Sequence, residues 1–159
     1  MDESRRQSLT IAGETIASVL MRNASEHGSD IALREKERGI WKATTWAEYA
    51  EQVLACAAGL DRLGLKPGDA VLILGDNRVR LYCGMLALAT LGVYAMPAYP
   101  GTTLEELQYF AGEANVVAAL AEDQEQVDKQ FWLTTFALKN KNTVFFCLLP
   151  FHEPRRKNS

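Results

Sequence analysis

The sequence is poor in the residues that mark metal-binding and disulfide-stabilised domains. Its 159 residues include three cysteines, Cys56, Cys83 and Cys147, and two histidines, His27 and His152. The cysteines are odd in number and widely spaced, with no CxxC pair and no nearby histidine, which argues against a disulfide framework and against a zinc site. We therefore expect a reducing, cytoplasmic setting, with peripheral attachment to a membrane as an open alternative.

Long hydrophobic runs and an excess of positive charge are also missing. The longest apolar candidates, FWLTTFAL (131–138) and TVFFCLLPF (143–151), are separated by KNKN, and each is far shorter than the roughly 20 residues that span a bilayer. The formal net charge of -3 gives no reason to expect binding to nucleic acid. The sequence thus predicts neither a transmembrane segment nor a nucleic acid partner.

Few of the motifs that carry catalysis or phosphate binding are present. No GxxxxGK[ST] loop occurs, and GDNR (75–78) has one glycine where the dinucleotide fingerprint needs three. No GxSxG elbow activates a serine, and Cys83 falls inside a predicted helix, where a small buried side chain is expected. The two histidines have no evident partner. We therefore predict no catalytic, cofactor-binding or metal-ligating residue in this chain.

What the sequence does contain is a well-marked order of helices and strands. Residues 14–27, ETIASVLMRNASEH, place Ile16 and Leu20 at helical spacing. Residues 31–44, IALREKERGIWKAT, alternate around a polar turn, as the two strands of a β-hairpin do. A helix followed by a hairpin is therefore predicted at the start of the fold.

A second helix has a clear beginning and end. Thr45 and Glu48 have the spacing of a capping box, in which each side chain bonds the other residue's backbone amide. Gly64 is placed to end the helix after about Leu63, because glycine adopts the left-handed conformation at little cost. The predicted buried stripe of this helix consists of Tyr49, Val53, Leu54, Ala57 and Leu60.

Three apolar runs separated by helical patterns form the predicted centre of the fold. They are AVLIL (70–74), VYAMPA (93–98) and VVAALA (116–121). Apolar strands joined by helices form a parallel sheet with right-handed crossovers. The connecting helices are predicted to bury Leu81, Met85, Leu88 and Ala89 in the first, and Leu104, Leu107, Phe110 and Ala111 in the second, which opens with the capping pair Thr103 and Glu106. We predict an α/β fold: a partial parallel sheet with a βαβαβ unit, preceded by the helix and the hairpin.

Two polar residues follow the first predicted strand of this sheet. Asp76 and Asn77 lie at the carboxyl end of that strand, where open parallel sheets bind their ligands. Asp and Asn are also frequent helix N-caps, and we expect one of them to cap the following helix rather than to bind a ligand.

The composition changes near residue 130. Residues 1–130 contain 19 acidic and 12 basic side chains, whereas residues 131–159 contain one acidic and five basic side chains and five of the six phenylalanines. The segment from Phe131 onward is therefore expected to be foreign to the preceding domain.

Residues 14–129 resemble the N-terminal region of adenylate-forming ligases, specifically of long-chain fatty-acid CoA ligases. The resemblance runs through 32–78 and continues in AYPGTTLEELQYF (98–110) and AEDQEQVDK (121–129). Its most telling parts are Thr45, Trp46, Glu48 and Tyr49, then Pro67, Gly68 and Asp69, then Gly75 to Arg78, and then Tyr99 and Pro100. The chain departs from the family at Val79, Arg80 and Leu81, where Pro-Glu-Trp is usual.

This resemblance implies an acid–thiol ligase that uses ATP and magnesium to form an acyl-adenylate and transfers the acyl group to coenzyme A. Fatty acid and coenzyme A are then the implied substrates. The family's Ser/Thr/Gly-rich phosphate loop and C-terminal lysine have no counterpart among the 159 residues. We therefore expect a ligase fragment that is inactive alone and binds none of these cofactors itself.

The resulting domain prediction has three parts: a flexible N-terminus (1–13), an incomplete N-terminal ligase domain (14–129) and a non-family tail (130–159). An interrupted reading frame near residue 130 would explain the tail. The alternative is a non-enzymatic α/β module that associates with a full-length synthetase. In either case an uncovered sheet face could drive self-association.

Overall fold

The computed structural model describes residues 14–99, 101–121 and 144–147. Helix α1 (Ile16–Glu26) is followed by the hairpin strands β1 (Ile31–Glu37) and β2 (Ile40–Thr45) and by helix α2 (Trp46–Arg62). The second part consists of β3 (Ala70–Leu74), α3 (Val79–Thr90), β4 (Tyr94–Ala98), α4 (Leu104–Glu113), β5 (Ala118–Ala121) and β6 (Val144–Cys147). The predicted α/β fold is confirmed, and the three predicted strands agree with β3, β4 and β5 to within two residues at each end.

The larger sheet has the strand order β4-β3-β5-β6, and every neighbouring pair is parallel. Strand β3 pairs on both sides, so that Val71 lies opposite Ala95 of β4 and opposite Ala118 of β5. All five β3 residues are buried, as expected for a strand covered on both faces. The hairpin β1-β2 forms a separate antiparallel sheet.

Two apolar cores lie on opposite faces of this sheet. Val71 and Ile73 of β3 belong to one core, together with buried residues of α1, α2 and α3. Leu72 and Leu74 belong to the other, with Leu107 of α4. Since side chains alternate along a strand, the five apolar residues of β3 supply both cores. Full burial of each such large side chain contributes about 1.5–3 kcal/mol.

The predicted helix ends are present. Thr45 accepts a hydrogen bond from the amide of Glu48 (3.3 Å), and the Glu48 carboxylate accepts one from the Thr45 amide (2.9 Å). Thr103 and Glu106 repeat this arrangement at the start of α4. Gly64 follows α2 with a φ of +88°, the left-handed conformation that favours glycine. Both predicted capping boxes and the predicted helix stop are confirmed.

Burial departs from the prediction at the margin of the sheet. Leu54 of α2 and Leu104 and Phe110 of α4 are exposed, although the helical spacing placed them in buried stripes. Strand β4 is only partly buried, although its sequence is apolar throughout. For Phe110 and β4 the reason is positional, because β4 has one neighbour among the described strands and side chains beside it lack a covering layer. The exposure of Leu54 on α2 has no such explanation.

Other predicted segments lie outside the described residues. The N-terminus (1–13) is among them, as is the tail (130–159) apart from β6. In the described ranges, the structure has no helix long and apolar enough to cross a membrane.

Candidate functional site

The carboxyl edge of the sheet is the place where this topology can form a crevice. After β3 the chain enters α3, which packs on one face, and after β4 it enters α4, which packs on the other. The loops 75–78 and 99–103 therefore diverge from adjacent strands. In open parallel sheets, ligands bind in the crevice outside the carboxyl ends of strands at such a divergence.

The loop after β3 is organised around Arg78. This residue occupies the N-cap position of α3 and provides no side-chain capping bond, so the prediction that Asp76 or Asn77 caps the helix is wrong. The Asp76 carbonyl accepts the amide of Arg78 (2.7 Å), and the Asp76 carboxylate lies 3.9 Å from the Arg78 guanidinium. The tight turn thus places the Asp76 carboxylate beside the arginine rather than at the helix cap.

Arg78 also connects this loop to the hairpin. Its guanidinium lies 3.8 Å from the carboxylate of Glu35 in β1. Both side chains are partly exposed, so the ion pair contributes about 0–1 kcal/mol. It joins residues far apart in sequence, which is why the local pattern around GDNR gives no sign of it.

The loop after β4 borders an apolar groove. The groove has a volume of about 360 Å³ and is lined by Leu72, Met96, Pro97, Ala98, Tyr99, Thr102 and Phe110. Among the described residues of the lining, Thr102 supplies the one aliphatic hydroxyl, and none carries a charge. This volume lies at the small end of the range for ligand sites. The lining suits an apolar group and offers no cation to hold a phosphate.

The described residues of this edge do not fit a nucleotide or a magnesium ion. Gly75 is the only glycine in the turn after β3, so the turn has no glycine-rich phosphate cradle of the P-loop or dinucleotide type. Across the described ranges, no three His, Cys, Asp or Glu side chains are grouped so that they could hold a metal.

Cys83 lies in the interior rather than at the crevice. It is buried in the core between α2 and α3, and its Sγ lies 3.7 Å from Oε1 of Gln52. Burial raises the pKa of the Cys83 thiol to about 12. Since the thiolate is the nucleophile, Cys83 acts as a small apolar side chain, as predicted.

The parallel sheet, with helices on both faces and a crevice at its carboxyl edge, places the chain in the α/β class. The AMP-binding enzyme family matches residues 20–149, and the chain belongs to this family. The match continues past residue 129, where the resemblance was expected to end, and includes β6. The domain division at 129–130 remains a prediction.

Curated relatives of the chain include fatty-acid CoA ligases and a shorter protein. Over 109 residues the chain is 25% identical to the long-chain-fatty-acid–CoA ligase FadD15 of Mycobacterium tuberculosis, covering 69% of this chain and 18% of that protein. Over 123 residues it is 30% identical to the uncharacterized protein Rv1549 of the same species, covering 76% of this chain and 69% of that protein. The chain thus spans about a fifth of the ligase and two thirds of the shorter relative.

A solved structure confirms the fold. A putative long-chain-fatty-acid CoA ligase from Rhodopseudomonas palustris superimposes with a TM-score of 0.70 at 22% identity, covering 85% of this chain and 33% of that one. Together with the family match over residues 20–149, this fold confirms the predicted relationship to adenylate-forming ligases, and the relatives include a long-chain fatty-acid CoA ligase.

Proposed function

We propose that this chain forms the first sheet layers of an ATP-dependent long-chain fatty-acid CoA ligase and does not activate a carboxylate by itself. The substrates of the whole enzyme would be a fatty acid, ATP with magnesium, and coenzyme A. The family match and the similarity to the long-chain-fatty-acid–CoA ligase FadD15 support the reaction class. Within that enzyme, the residues of this chain would serve as structural scaffold.

The geometry of the turn at 75–78 supports the proposal that the chain alone does not activate a carboxylate. Transfer at a phosphorus centre depends on groups that neutralise charge spread over the phosphate oxygens. In this turn the guanidinium of Arg78 faces the carboxylates of Glu35 and Asp76. Two carboxylates therefore oppose the positive charge of Arg78 at the carboxyl edge of the sheet, where parallel sheets bind their ligands.

Fatty-acid-dependent exchange between ATP and pyrophosphate tests the proposal. The purified 159-residue chain should show exchange no faster than the same mixture without protein, with FadD15 as the active control. Exchange that depends on the fatty acid and increases with the concentration of the pure chain would show that the chain activates carboxylates alone.

A second candidate function is a non-enzymatic module that associates with a full-length synthetase or with itself. The apolar groove favours it, because Tyr99 and Phe110 expose aromatic surface next to a strand with one described neighbour. Exposed apolar patches of this kind mark interaction sites. The match to most of a shorter relative gives further support.

Co-purification with a tagged full-length ligase tests the second candidate. The double variant Tyr99→Ser and Phe110→Ser should lose association. The matched control, Tyr82→Ser and Tyr109→Ser, also removes two exposed aromatic rings but lies outside the groove. This function would be contradicted if the unchanged chain and both double variants co-purified equally with the ligase, or if none of them did.

A further inference from the structure

The hairpin β1-β2 has one face that carries only basic, aromatic and small side chains. Arg34 lies opposite Ala43, and Lys36 lies opposite Trp41. Because residues paired across an antiparallel ladder share a face, these four side chains lie together. All four are exposed. We call them the outer hairpin face; Arg38 adds a further exposed cation in the adjoining turn.

The acidic residues of the hairpin lie on the opposite face. Glu35 pairs with Lys42 and Glu37 with Ile40 across the ladder. The Glu37 carboxylate forms an ion pair with Lys42, and Glu35 lies near Arg78. Both carboxylates are therefore matched by cations on their own side. Within the described ranges, neither Arg34 nor Arg38 takes part in an ion pair, and both side chains are exposed.

A large aromatic group accompanies these charges. Trp41 is 66% exposed. The Lys36 ammonium lies 6.0 Å from the centre of the Trp41 ring, which keeps the charge and the ring side by side. A tryptophan beside cations is a combination that enters the headgroup region of membranes.

The surrounding charge indicates which anionic partner this face can accept. Residues 34–42 contain four basic and two acidic side chains, although acidic residues exceed basic ones in the chain as a whole. The overall negative charge disfavours a polyanion that must contact much of the protein, such as a nucleic acid. A membrane contacts one small surface and offers the interfacial region in which tryptophan rings are enriched.

We propose that the outer hairpin face binds the surface of membranes that contain anionic phospholipid. Arg34, Lys36 and Arg38 contact the headgroups, while the Trp41 ring enters the interface. The proposal stands on the hairpin's geometry and charge and does not depend on the ligase activity.

Vesicle flotation with the full chain tests this interaction, because aggregated protein does not float. Vesicles of phosphatidylcholine alone are compared with vesicles of equal parts phosphatidylcholine and phosphatidylglycerol. The chain should float with the anionic vesicles and be released by salt. Arg34→Gln with Lys36→Gln should weaken binding by roughly 10- to 30-fold, since each basic residue near an anionic surface adds about 1 kcal/mol.

A matched variant separates this face from overall charge. Arg62→Gln with Lys66→Gln removes the same two charges from exposed positions at the end of α2, and it should bind as the unchanged chain does. Equal weakening by both double variants, or equal binding to neutral and anionic vesicles, would overturn the proposal. The proposal would also be overturned if the chain bound a single-stranded oligonucleotide but not anionic vesicles, and if Arg34→Gln with Lys36→Gln weakened the binding to the oligonucleotide.

Tryptophan fluorescence provides the second readout. Anionic vesicles should shift the emission of the chain to shorter wavelength, and Trp41→Phe should abolish that shift while Trp46 and Trp132 remain. A shift that persists in Trp41→Phe would show that another part of the chain enters the lipid, and would overturn the proposed orientation.

Discussion

The backbone amide of Tyr94 donates a hydrogen bond to the carbonyl of Asp69 (2.8 Å). This bond sets which backbone groups of β4 face β3. Since successive residues of a strand alternate the direction of their backbone groups, Met96 and Ala98 face β3 as Tyr94 does, and Ala95 and Pro97 face the opposite side. Proline, which has no amide hydrogen, thus lies where no β3 bond is lost.

Replacing Pro97 should strengthen self-association of the chain through the edge of β4. Pro97→Ala adds an outward amide donor to the side of β4 away from β3, where an added strand could bond it. One further hydrogen bond contributes about 0.5–1.5 kcal/mol, so self-association should strengthen by roughly 2- to 10-fold. Sedimentation velocity over a concentration series measures the strength of this self-association. Ala95→Pro combined with Pro97→Ala moves the proline to the other outward position and should restore the original behaviour; unchanged association in Pro97→Ala would contradict this account of the edge.

Two glycine-to-alanine variants should change stability in opposite directions. A Cβ on Gly28 would lie 2.6 Å from the backbone oxygen of Ala24, whereas a Cβ on Gly59, inside α2, would meet nothing within 4 Å. Gly28→Ala should lower the free energy of unfolding by about 1–3 kcal/mol, because a backbone atom must move. Gly59→Ala should raise it by about 0.5–1 kcal/mol, since glycine is unfavourable in helices. Urea denaturation checks both, and the same sign for both would refute the reasoning.

The capping box of α4 should make stability depend on pH. Hydrogen bonds from the backbone amide and the hydroxyl of Thr103 lower the pKa of Glu106 below its ordinary value of 4.5. A carboxyl with a lowered folded-state pKa stabilises the protein above its unfolded-state pKa, and this contribution is lost as the pH falls through the folded-state value. Glu106→Gln should reduce the loss of stability between about pH 5 and pH 3. Glu105→Gln, outside the capping box, is the control and should retain the wild-type slope.

Removing residues 131–159 tests where the domain ends. Strand β6 pairs with β5 over four residue pairs, from Ala118 with Val144 to Ala121 with Cys147. We expect the truncated chain to unfold at lower urea concentration, because β5 loses its neighbour and its backbone bonds. A truncated chain with unchanged stability and better solubility would instead support the predicted boundary at residue 129.

Local signals explain which parts of the fold could be predicted from sequence. The capping pairs Thr45 with Glu48 and Thr103 with Glu106 act over three residues, and the stop at Gly64 depends on one residue's conformation. Such features are readable from a short window. The strand assignments followed because β3 is apolar at every position, as a strand buried on both faces must be.

The site could not be predicted in the same way, because its parts meet only in the folded chain. The ion pair of Arg78 with Glu35 depends on how the hairpin lies against α3. The groove depends on Phe110 of α4 and Tyr99, which follows β4, lining the same space. The exposure of Phe110 depends on whether a further strand pairs with the outer side of β4. Periodicity identifies a helix face as apolar without showing whether anything covers it.

Strand β3 leaves the ribosome before either of its sheet neighbours, since β4 and β5 both follow it in the chain. Hairpins can close during synthesis, but a parallel pair must wait for the whole crossover helix. Helices α1 and α2 precede β3 and can cover Val71 and Ile73, whereas Leu72 and Leu74 remain uncovered during synthesis until Leu107 of α4 emerges. Slower translation between Leu74 and Leu107 would extend that exposure.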